Sequence, residues 1–226
     1  MLYKISAFFC TVAIILVFLI TSIEEVLYWD KDYFQKEYEK HHIAASIGMD
    51  TEDLLIVTEK MMEYLKDKQE NLNMKAMIQG EVREVFNEKE KAHMEDVKAL
   101  FLSAIRIRRV SIGVIMVCCA LFLKNKMMDK LLRWIRVGIL LTIGGGIVLA
   151  GVISINFFQA FQVFHKIFFR NQLWILDPKT DILINIVPQP FFVDTAIRIG
   201  GLFVLELVGL WYICTYLLRR TKKTGV

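Results

Sequence analysis

The four histidines are the side chains best suited to acid–base chemistry in this sequence of 226 residues. An imidazole titrates close to neutral pH and can take up or release a proton during a reaction. His93 falls on the apolar stripe of a predicted helix, and Asp96 follows one helical turn later. A carboxylate at this spacing can accept a hydrogen bond from an imidazole and fix its tautomer. The same spacing is equally compatible with a buried structural histidine.

His165 lies in a phenylalanine-rich segment that follows a long apolar run. On a continuous helix it shares one face with Phe158, Phe161 and Phe168, at the outer boundary of a membrane. A phenylalanine stripe at such a boundary more often packs against lipid or a neighbouring helix than binds a ligand. An ionisable group at membrane depth is energetically costly and usually functional, so we expect a functional role for His165.

The other two histidines, His41 and His42, lie among charged residues in a pattern typical of a solvated helix face. The sequence contains no Gly-x-Ser-x-Gly motif, no phosphate-binding loop and no His-Glu-x-x-His motif. The four cysteines lie in apolar segments, where thiols mostly act as small hydrophobic side chains. The sequence therefore predicts no disulfide framework and no nucleophilic serine or cysteine.

The distribution of charge indicates an integral membrane protein. Hydrophobic residues make up 55% and charged residues 23%, but the charges are concentrated in one block and a few short clusters. This pattern excludes a disordered chain, a nucleic-acid-binding domain and a disulfide scaffold. A bilayer core of about 30 Å requires about 20 mostly apolar residues in a helix. Four segments are predicted to cross it, namely residues 1–23, 105–124, 137–158 and 199–218.

The second span has the weakest signal, because its uncharged run covers only 14 residues. It crosses a membrane only if the helix extends towards its N-terminal side, which places Arg106, Arg108 and Arg109 near the interface. The fourth span contains one charge, Glu206, which is either a proton relay or a carboxylate paired across helices. No specific role is assigned to these arginines or to Glu206.

Lysine and arginine near the ends of the spans predict the orientation, because cytoplasmic loops carry an excess of them. Lys4, the loop over residues 125–136 and the tail over residues 219–226 are all basic. We therefore expect both termini in the cytoplasm and residues 24–104 and 159–198 outside. The segment from Glu24 to Ala104 holds 11 basic and 19 acidic residues. The sequence thus predicts an all-α membrane protein with four transmembrane helices and an extracellular, mainly helical cap.

Within the predicted cap, Asp50 is expected to cap one helix at its N-terminus. A second helix is predicted to begin at Asn87 and to continue into the second span. Gly48 and Gly80 mark expected breaks between elements. The stretch from Trp174 to Phe192, which holds all three prolines, predicts a re-entrant or surface loop rather than a helix.

Two stretches of the chain resemble the signatures of a known family. The first resembles one signature of the lipoprotein intramolecular transacylase (Lit) family and reads His93-Met94-Glu95-Asp96-Val97-Lys98. The second resembles another Lit signature and comprises His165-Lys166-Ile167-Phe168-Phe169, Trp174, Asp177, Asp181-Ile182-Leu183-Ile184 and Pro188. Gln189 departs from the family pattern, which has an acidic residue after that proline. With the four-span layout, the resemblance covers essentially the whole chain.

The resemblance implies a bacterial plasma-membrane acyltransferase with no cofactor and no metal. It would move the sn-2 acyl chain of a diacylglyceryl-modified lipoprotein onto the α-amino group of the lipoprotein's N-terminal cysteine. The expected partners are that lipoprotein and membrane lipid, not nucleic acid. Ester aminolysis needs a base and an acid, and two imidazoles suit both roles. Because amine and ester belong to one substrate, no acyl-enzyme is required.

The resemblance also implies roles for particular residues. His93 and His165 would be the catalytic pair, converging at the boundary between cap and membrane. Asp96 and Asp181 would support or orient them, and an aromatic pocket would exclude water. The expected pocket residues are Phe161, Phe164, Phe168 and Trp174.

Two other functions stay open at this point. A metal-dependent membrane hydrolase would use His93, Asp96 and His165 as ligands, although their spacing matches no diagnostic zinc motif. A non-catalytic membrane adaptor or sensor would use the acidic cap to bind a partner.

Overall fold

The fold comes from a computed structural model that describes residues 2–224 of the backbone and the side chains of residues 2–221. Met1 belongs to the predicted first span and residues 225–226 to the predicted cytoplasmic tail, and all three lie outside the described residues. The chain divides into two compact units. We call Met1–Glu24, Ile105–Asn156 and Arg198–Val226 the apolar unit, and Glu25–Ala104 with Phe157–Ile197 the histidine unit.

Most of the described residues are helical, and one short antiparallel hairpin interrupts the helices. The elements in chain order are α1 Leu2–Glu24, α2 Tyr33–Lys40, α3 Ile43–Ile47, α4 Thr51–Leu65, β1 Lys75–Ile78, β2 Glu81–Glu84, α5 Glu88–Lys124, α6 Met128–Ile155, α7 Phe157–Phe168, α8 Leu183–Ile186 and α9 Gln189–Thr224. A π-helical segment, Glu25–Trp29, follows α1 directly. Helices α5 and α9 each contribute residues to both units.

Within the described residues, three helices are long and apolar enough to cross a membrane: Leu2–Trp29, Met128–Ile155 and Gln189–Thr221. The predicted second span, residues 105–124, is the C-terminal part of α5 and is not one of the three. α1 packs closely on α6, and a Cβ at Gly138 would overlap the methyl group of Thr11. This glycine therefore allows the two backbones to approach each other, as small residues do between membrane helices.

Two carboxylates of the apolar unit, Glu24 and Glu206, have polar partners. Ser22 Oγ donates a hydrogen bond to Glu206 Oε2 at 2.8 Å, and Arg108 forms an ion pair with Glu24. Pairing of this kind lowers the cost of burying a charge in apolar surroundings. The structure therefore favours the paired-carboxylate interpretation of Glu206 over the proton relay.

The histidine unit confirms several predictions about helix ends. The Asp50 side chain accepts a hydrogen bond from the Glu52 backbone N–H at 2.9 Å, as expected for the cap of α4. α5 begins next to Asn87 with a reciprocal capping box, in which Asn87 Oδ1 accepts from the Glu90 N–H and Glu90 Oε2 accepts from the Asn87 N–H. α5 then continues without a break to Lys124, as the sequence predicted.

The hairpin corrects the all-α prediction. Strands β1 and β2 pair in antiparallel register across the two-residue turn Gln79–Gly80, with φ values of 53° and 85°. A turn with two positive φ values suits the twist of a tight hairpin. The Gln79 N–H donates to the Gly48 carbonyl at 2.7 Å, and a Cβ at Gly48 would lie 2.8 Å from the Gln79 side chain. The lack of a side chain at Gly48 therefore allows the tip of the hairpin to pack closely against it.

The structure settles one open question about the helices and corrects one predicted loop. The third long helix does not continue through the phenylalanine stripe, because α6 ends at Ile155 and α7 begins at Phe157. Asn156, a weak helix former, separates them. The predicted loop over residues 174–192 contains the short helix α8, and α9 begins at Gln189. Pro190 fits there because a proline in the first helical turn loses no intrahelical hydrogen bond.

Candidate functional site

His93 and His165 lie next to each other inside the histidine unit. Their ring centroids are 6.1 Å apart, with an angle of 39° between the ring planes. His93 is on α5, one turn after the capping box, and His165 is in the last turn of α7. The two residues are only 6% and 7% exposed, respectively. Two side chains 72 residues apart in sequence thus share one buried pocket.

Aromatic rings surround His165. Phe161 lies at 4.0 Å between ring centroids, Trp174 at 4.9 Å and Phe164 at 5.4 Å. Phe168, the fourth predicted pocket residue, contacts Phe164 at 4.7 Å instead of the imidazole itself. Such rings displace water from the imidazole and hold it by edge and face contacts.

Phe169 is a site residue that the sequence interpretation missed. Its ring lies 5.3 Å from that of His93 and 5.5 Å from that of His165, so it touches both imidazoles. Its N–H also donates to the His165 carbonyl at 2.8 Å. The available signal was its position four residues after His165, which is one helical turn.

The hydrogen bonds of the two imidazoles differ. Nδ1 of His165 lies 2.8 Å from the carbonyl oxygen of Phe161. A carbonyl only accepts, so Nδ1 carries the hydrogen and Nε2 of the neutral ring has a free lone pair. Nδ1 of His93 is buried and has no hydrogen-bond partner within the protein. A buried polar atom without a partner is costly, and in a pocket it is available to a ligand.

Both imidazoles are neutral at physiological pH. Burial and, to a smaller extent, the neighbouring His165 together lower the pKa of His93 to about 4, against the raising effect of the Asp96 charge. Burial also lowers the pKa of His165, against a smaller raising effect of the Phe161 carbonyl. A neutral imidazole has one nitrogen that can accept a proton and one N–H that can donate a hydrogen bond, and once protonated it can act as an acid.

Asp96 does not contact an imidazole through a hydrogen bond, which corrects the prediction from spacing. Its Oδ2 accepts from Nδ2 of Asn171 at 2.7 Å. The Asn171 carbonyl in turn accepts from the Trp174 indole N–H at 2.9 Å. Because Trp174 packs against His165, Asp96 supports the pocket indirectly by holding the segment that carries the indole.

Asp181 lies among hydrogen-bond donors from α5 and its own loop. It accepts from Asn87 Nδ2 at 2.9 Å, from Lys89 Nζ at 3.2 Å and from the Asp177 N–H at 2.8 Å. Burial acts to raise the pKa of Asp181, but these hydrogen bonds outweigh it and the pKa is lowered. Asp181 therefore fastens its loop to the first turn of α5 and contacts neither histidine by a hydrogen bond.

Glu90 is a second buried carboxylate that the sequence interpretation missed. It is 1% exposed, and its Oε1 accepts from the Leu183 N–H at 2.6 Å while Oε2 accepts from the Asn87 N–H. Burial raises its pKa, although the backbone hydrogen bonds oppose this. The Asn-x-x-Glu spacing of a capping box was the available signal. Glu90 links the start of α5, one turn before His93, to the start of α8.

The hydrolase ligand set does not converge. Across residues 2–221, the group of three His, Cys, Asp or Glu side chains with ligand atoms within 4.8 Å of one another is Glu37, His41 and Asp194. His93, Asp96 and His165 form no such group. The prediction of a solvated face fits His42, which is exposed, but is wrong for His41, whose side chain is only 18% exposed.

Comparison with known proteins gives one family and one fold. The family model described as lipoprotein intramolecular transacylase Lit matches residues 8–192. The structure of the membrane integral lipoprotein intramolecular transacylase Lit from Bacillus cereus has a TM-score of 0.79 and 21% identity, over 99% of this chain and 97% of that chain. A variant of the same Bacillus cereus protein with a histidine replaced by alanine gives 0.79 and 20%, over 98% and 96% of the two chains. No curated protein sequence matches.

Proposed function

The chain belongs to the lipoprotein intramolecular transacylase (Lit) family, so it is an acyltransferase and an integral membrane protein. We propose that it moves the sn-2 acyl chain of a diacylglyceryl-modified lipoprotein onto the α-amino group of the lipoprotein's N-terminal cysteine. The observation that carries this proposal is the pair of buried imidazoles, 6.1 Å apart within aromatic walls. The reaction needs no nucleophilic serine or cysteine, because the attacking amine belongs to the substrate itself.

The reaction exchanges one bond at the acyl carbon. The amine nitrogen attacks the carbonyl carbon of the sn-2 ester, and the carbon–oxygen bond to glycerol breaks. The amine loses a proton and the departing glycerol oxygen gains one, so no external acid, base or water is consumed. Nucleophile and ester belong to the same molecule, and holding such groups together can contribute about 7–11 kcal/mol in favourable cases.

We assign the proton acceptor to His165 and the proton donor to His93. Nε2 of His165 has the free lone pair, because Nδ1 donates to the Phe161 carbonyl. That carbonyl also stabilises the imidazolium that forms when Nε2 takes the amine proton. His93 faces His165 and has a buried Nδ1 without a protein partner, which suits contact with the ester or the leaving oxygen. As His93 gives its N–H proton to the departing glycerol oxygen, the His165 imidazolium returns a proton to His93, so both rings end the reaction neutral.

The aromatic walls favour attack on the ester by the amine over attack by water. A water molecule in the pocket would compete with the amine for the ester carbonyl and release a free fatty acid. Phe161, Trp174 and Phe169 cover the imidazoles and leave little room for such a water. Asp96, through Asn171, and Asp181, through the first turn of α5, keep these walls and His93 in place.

For the topology, we propose four spans, with residues 105–124 of α5 as the second. The Arg108–Glu24 ion pair supports this, since it neutralises the Arg108 charge that the span would otherwise carry without a partner. The basic loop over residues 125–136 and the basic tail over residues 219–226 support cytoplasmic termini. The acidic segment 24–104, together with residues 159–198, would then form the extracellular cap and active site, and substrate acyl chains would stay among membrane lipids.

Mass spectrometry of a reporter lipopeptide tests the proposal. The reporter carries a diacylglyceryl cysteine with a free amine and is incubated with membranes that contain the protein. The expected product has the same mass but an N-acyl, lyso-glyceryl N-terminus, which fragmentation distinguishes. His93→Asn and His165→Asn should give no such product, while His42→Asn, at the exposed neighbour of His41, serves as the matched control.

Each other outcome points to a different function. Release of free fatty acid without N-acyl product would identify a hydrolase. No change in the reporter, with both wild-type protein and variants at normal abundance, would favour the adaptor. Full activity of both histidine variants would refute the catalytic assignment while leaving the family membership intact.

A further inference from the structure

A second histidine site lies away from the acyl-transfer pocket, where α2 meets the first turns of α9. We infer that Glu37, His41 and Asp194 form a binding site for one divalent transition-metal cation, of which Zn2+ is the best fit. The site is independent of the proposed acyl transfer, which uses neither these residues nor a metal. Its role is structural, because it would tie α2 to the start of α9.

The ligand atoms already lie close to metal-binding distances. His41 Nε2 is 2.7 Å from Asp194 Oδ2 and 3.5 Å from Glu37 Oε2. Zinc binds nitrogen and carboxylate oxygen at about 2.0–2.2 Å in tetrahedral geometry, so neighbouring ligand atoms are about 3.3–3.5 Å apart. The His41–Glu37 spacing fits without change, and the His41–Asp194 pair has to open by about 0.6 Å.

Glu37 provides the independent sign of a missing partner. The residue is 9% exposed, and its Oε2 is buried without a hydrogen-bond partner. Leaving a buried carboxylate oxygen unsatisfied costs more than leaving a neutral group unsatisfied. This oxygen lies 3.5 Å from the Nε2 atom of His41, so one cation could bind both atoms. A bound cation supplies the missing interaction and compensates for placing a buried and a partly exposed carboxylate beside one imidazole.

The backbone around the site is held in place by aromatic packing. The ring of Phe191, on α9, lies 5.9 Å from Phe34, 5.9 Å from Tyr33 and 6.0 Å from Tyr38 between centroids. The hydroxyl groups of Tyr33 and Thr195 are also hydrogen-bonded to each other. This cluster fixes α2 against α9 whether or not a cation is bound. The ligands therefore need only side-chain adjustments, which favours binding.

Lys40 would compete with a metal ion for the carboxylate of Asp194. Its ammonium group is 2.6 Å from Asp194 Oδ2, the same oxygen that contacts His41. Asp194 Oδ2 therefore already binds one cationic group in this structure. The Lys40 side chain is 55% exposed and can turn into solvent when a metal binds. Removing its charge should consequently strengthen metal binding.

The donor set selects the kind of metal. One imidazole nitrogen with two carboxylate oxygens suits zinc and neighbouring transition metals, whereas magnesium and calcium prefer oxygen ligands alone. Three protein ligands leave one position of a tetrahedral zinc for water. We therefore expect zinc to bind and calcium not to compete with it.

Calorimetric titration of the full-length protein with zinc tests the inference. The detergent-solubilised protein is first treated with a chelator, and one equivalent of zinc is expected to bind saturably, with or without excess calcium. Glu37→Gln, His41→Gln and Asp194→Asn should each weaken binding about tenfold or more, a size typical of lost metal-site interactions. Lys40→Met should tighten binding, a gain that misfolding cannot produce. His42→Gln is the matched control and should bind zinc like the wild type.

Two further measurements separate this site from the cysteines of the apolar unit. Cobalt bound at Glu37, His41 and Asp194 should show no thiolate charge-transfer absorption, whereas cobalt on cysteine would. Zinc should raise the thermal unfolding temperature of the wild type and the His42→Gln variant, but not that of His41→Gln. The inference is overturned if the wild type binds no zinc saturably, if His41→Gln binds it as well as His42→Gln does, or if Lys40→Met binds it more weakly.

Discussion

His165 and His41 are both largely buried imidazoles of the histidine unit, yet their neighbours have opposite chemistry. His165 contacts Phe161, Trp174 and the second imidazole, His93, and its one described hydrogen bond goes to a backbone carbonyl. His41 lies between two carboxylates, those of Asp194 at 2.7 Å and Glu37 at 3.5 Å. The first surroundings hold an imidazole neutral, and the second offer ligands to a cation.

The comparison teaches that burial alone does not define what a histidine does. In the aromatic pocket, burial lowers the pKa of both imidazoles because no hydrogen-bonded carboxylate compensates for the lost hydration of the charged form. Neutral rings remain free to exchange protons with a substrate. Where α2 meets α9, two carboxylates instead lie beside the imidazole of His41, so its nitrogen is placed to bind a cation together with them. Each prediction below tests one side of this contrast.

The largest expected effect is the loss of acyl transfer in His93→Gln or His165→Gln. Positioned acid–base groups contribute about 10²–10⁴-fold to a rate, and either variant should lose a factor in that range in kcat. Thermal unfolding should change little by comparison, because Nδ1 of His93 has no protein partner and the His165 ring has only its bond to the Phe161 carbonyl to lose. For His41→Gln, we expect the reverse order, with a larger change in unfolding temperature than in kcat. A larger loss of kcat in His41→Gln than in His93→Gln would break the contrast.

The second effect is on stability as a function of pH. The pKa of His93 is about 4 in the folded protein and near 6.5 in the unfolded chain, so the unfolded state binds more protons between these values. The part of the free energy of unfolding that depends on neutral His93 is fully present above pH 6.5. It is lost as the pH falls towards 4 and amounts to on the order of 3 kcal/mol in total. Denaturation of the solubilised protein at pH 7 and pH 5 measures it. His93→Gln should show a smaller acid-induced loss than the wild type, although His165 contributes in the same direction, and equal losses would contradict the neutral pair.

A third effect concerns the aromatic wall. Trp174→Ala opens a space next to His165 and should lower the rate of N-acyl product formation about tenfold, as expected when a buried aromatic contact worth about 1.5 kcal/mol is lost. Water entering this space should increase the share of free fatty acid among the products. Trp174→Phe keeps a ring there and serves as the control. An unchanged product ratio in Trp174→Ala would show that other residues exclude water.

The smallest effect separates direct from indirect support by Asp96. Asp96→Asn and Asn171→Ala both interrupt the contact between these two residues, and each should reduce kcat only a few-fold. If Asp96 acts through Asn171, the double variant should be no worse than the more impaired single variant. Rate measurements on all three variants form a double-mutant cycle. An additive double variant, with a changed pH profile in Asp96→Asn alone, would restore the predicted direct contact with His93.

Some local features could be predicted from the sequence because they depend on nearby residues. Asp50 and the Asn87–Glu90 capping box are encoded within four residues, since a cap needs only a side chain and the next turn of backbone. The apolar runs predicted four spans for the same reason, and three of them lie in long apolar helices among the described residues. The hairpin was missed because its strands are four residues long and β2 is exposed, so alternation carried no signal.

The candidate histidines themselves came from residue type, resemblance and their place in the pattern, and the structure then supplied their partners. Spacing along one helix suggested Asp96 as the partner of His93, but Asn171 and Asp96, 75 positions apart, bind each other. Phe169 went unnoticed because one more phenylalanine in such a stretch looks no different from its neighbours. Helix periodicity predicts on which face of a helix a residue lies, but not which atom of another segment it contacts.

The sequence by itself determined that this protein has long apolar helices, a charged segment between them and two histidines in unusual surroundings, because hydropathy and periodicity are properties of neighbouring residues. Only the tertiary structure decided which side chains meet. It brought His93 to His165 and, across 153 positions, His41 to Asp194. Contacts between distant segments depend on how whole helices pack, and no local pattern encodes that packing. For this reason the sequence could propose which imidazoles matter, while the fold alone showed that one pair lies among aromatic rings and another imidazole lies between carboxylates.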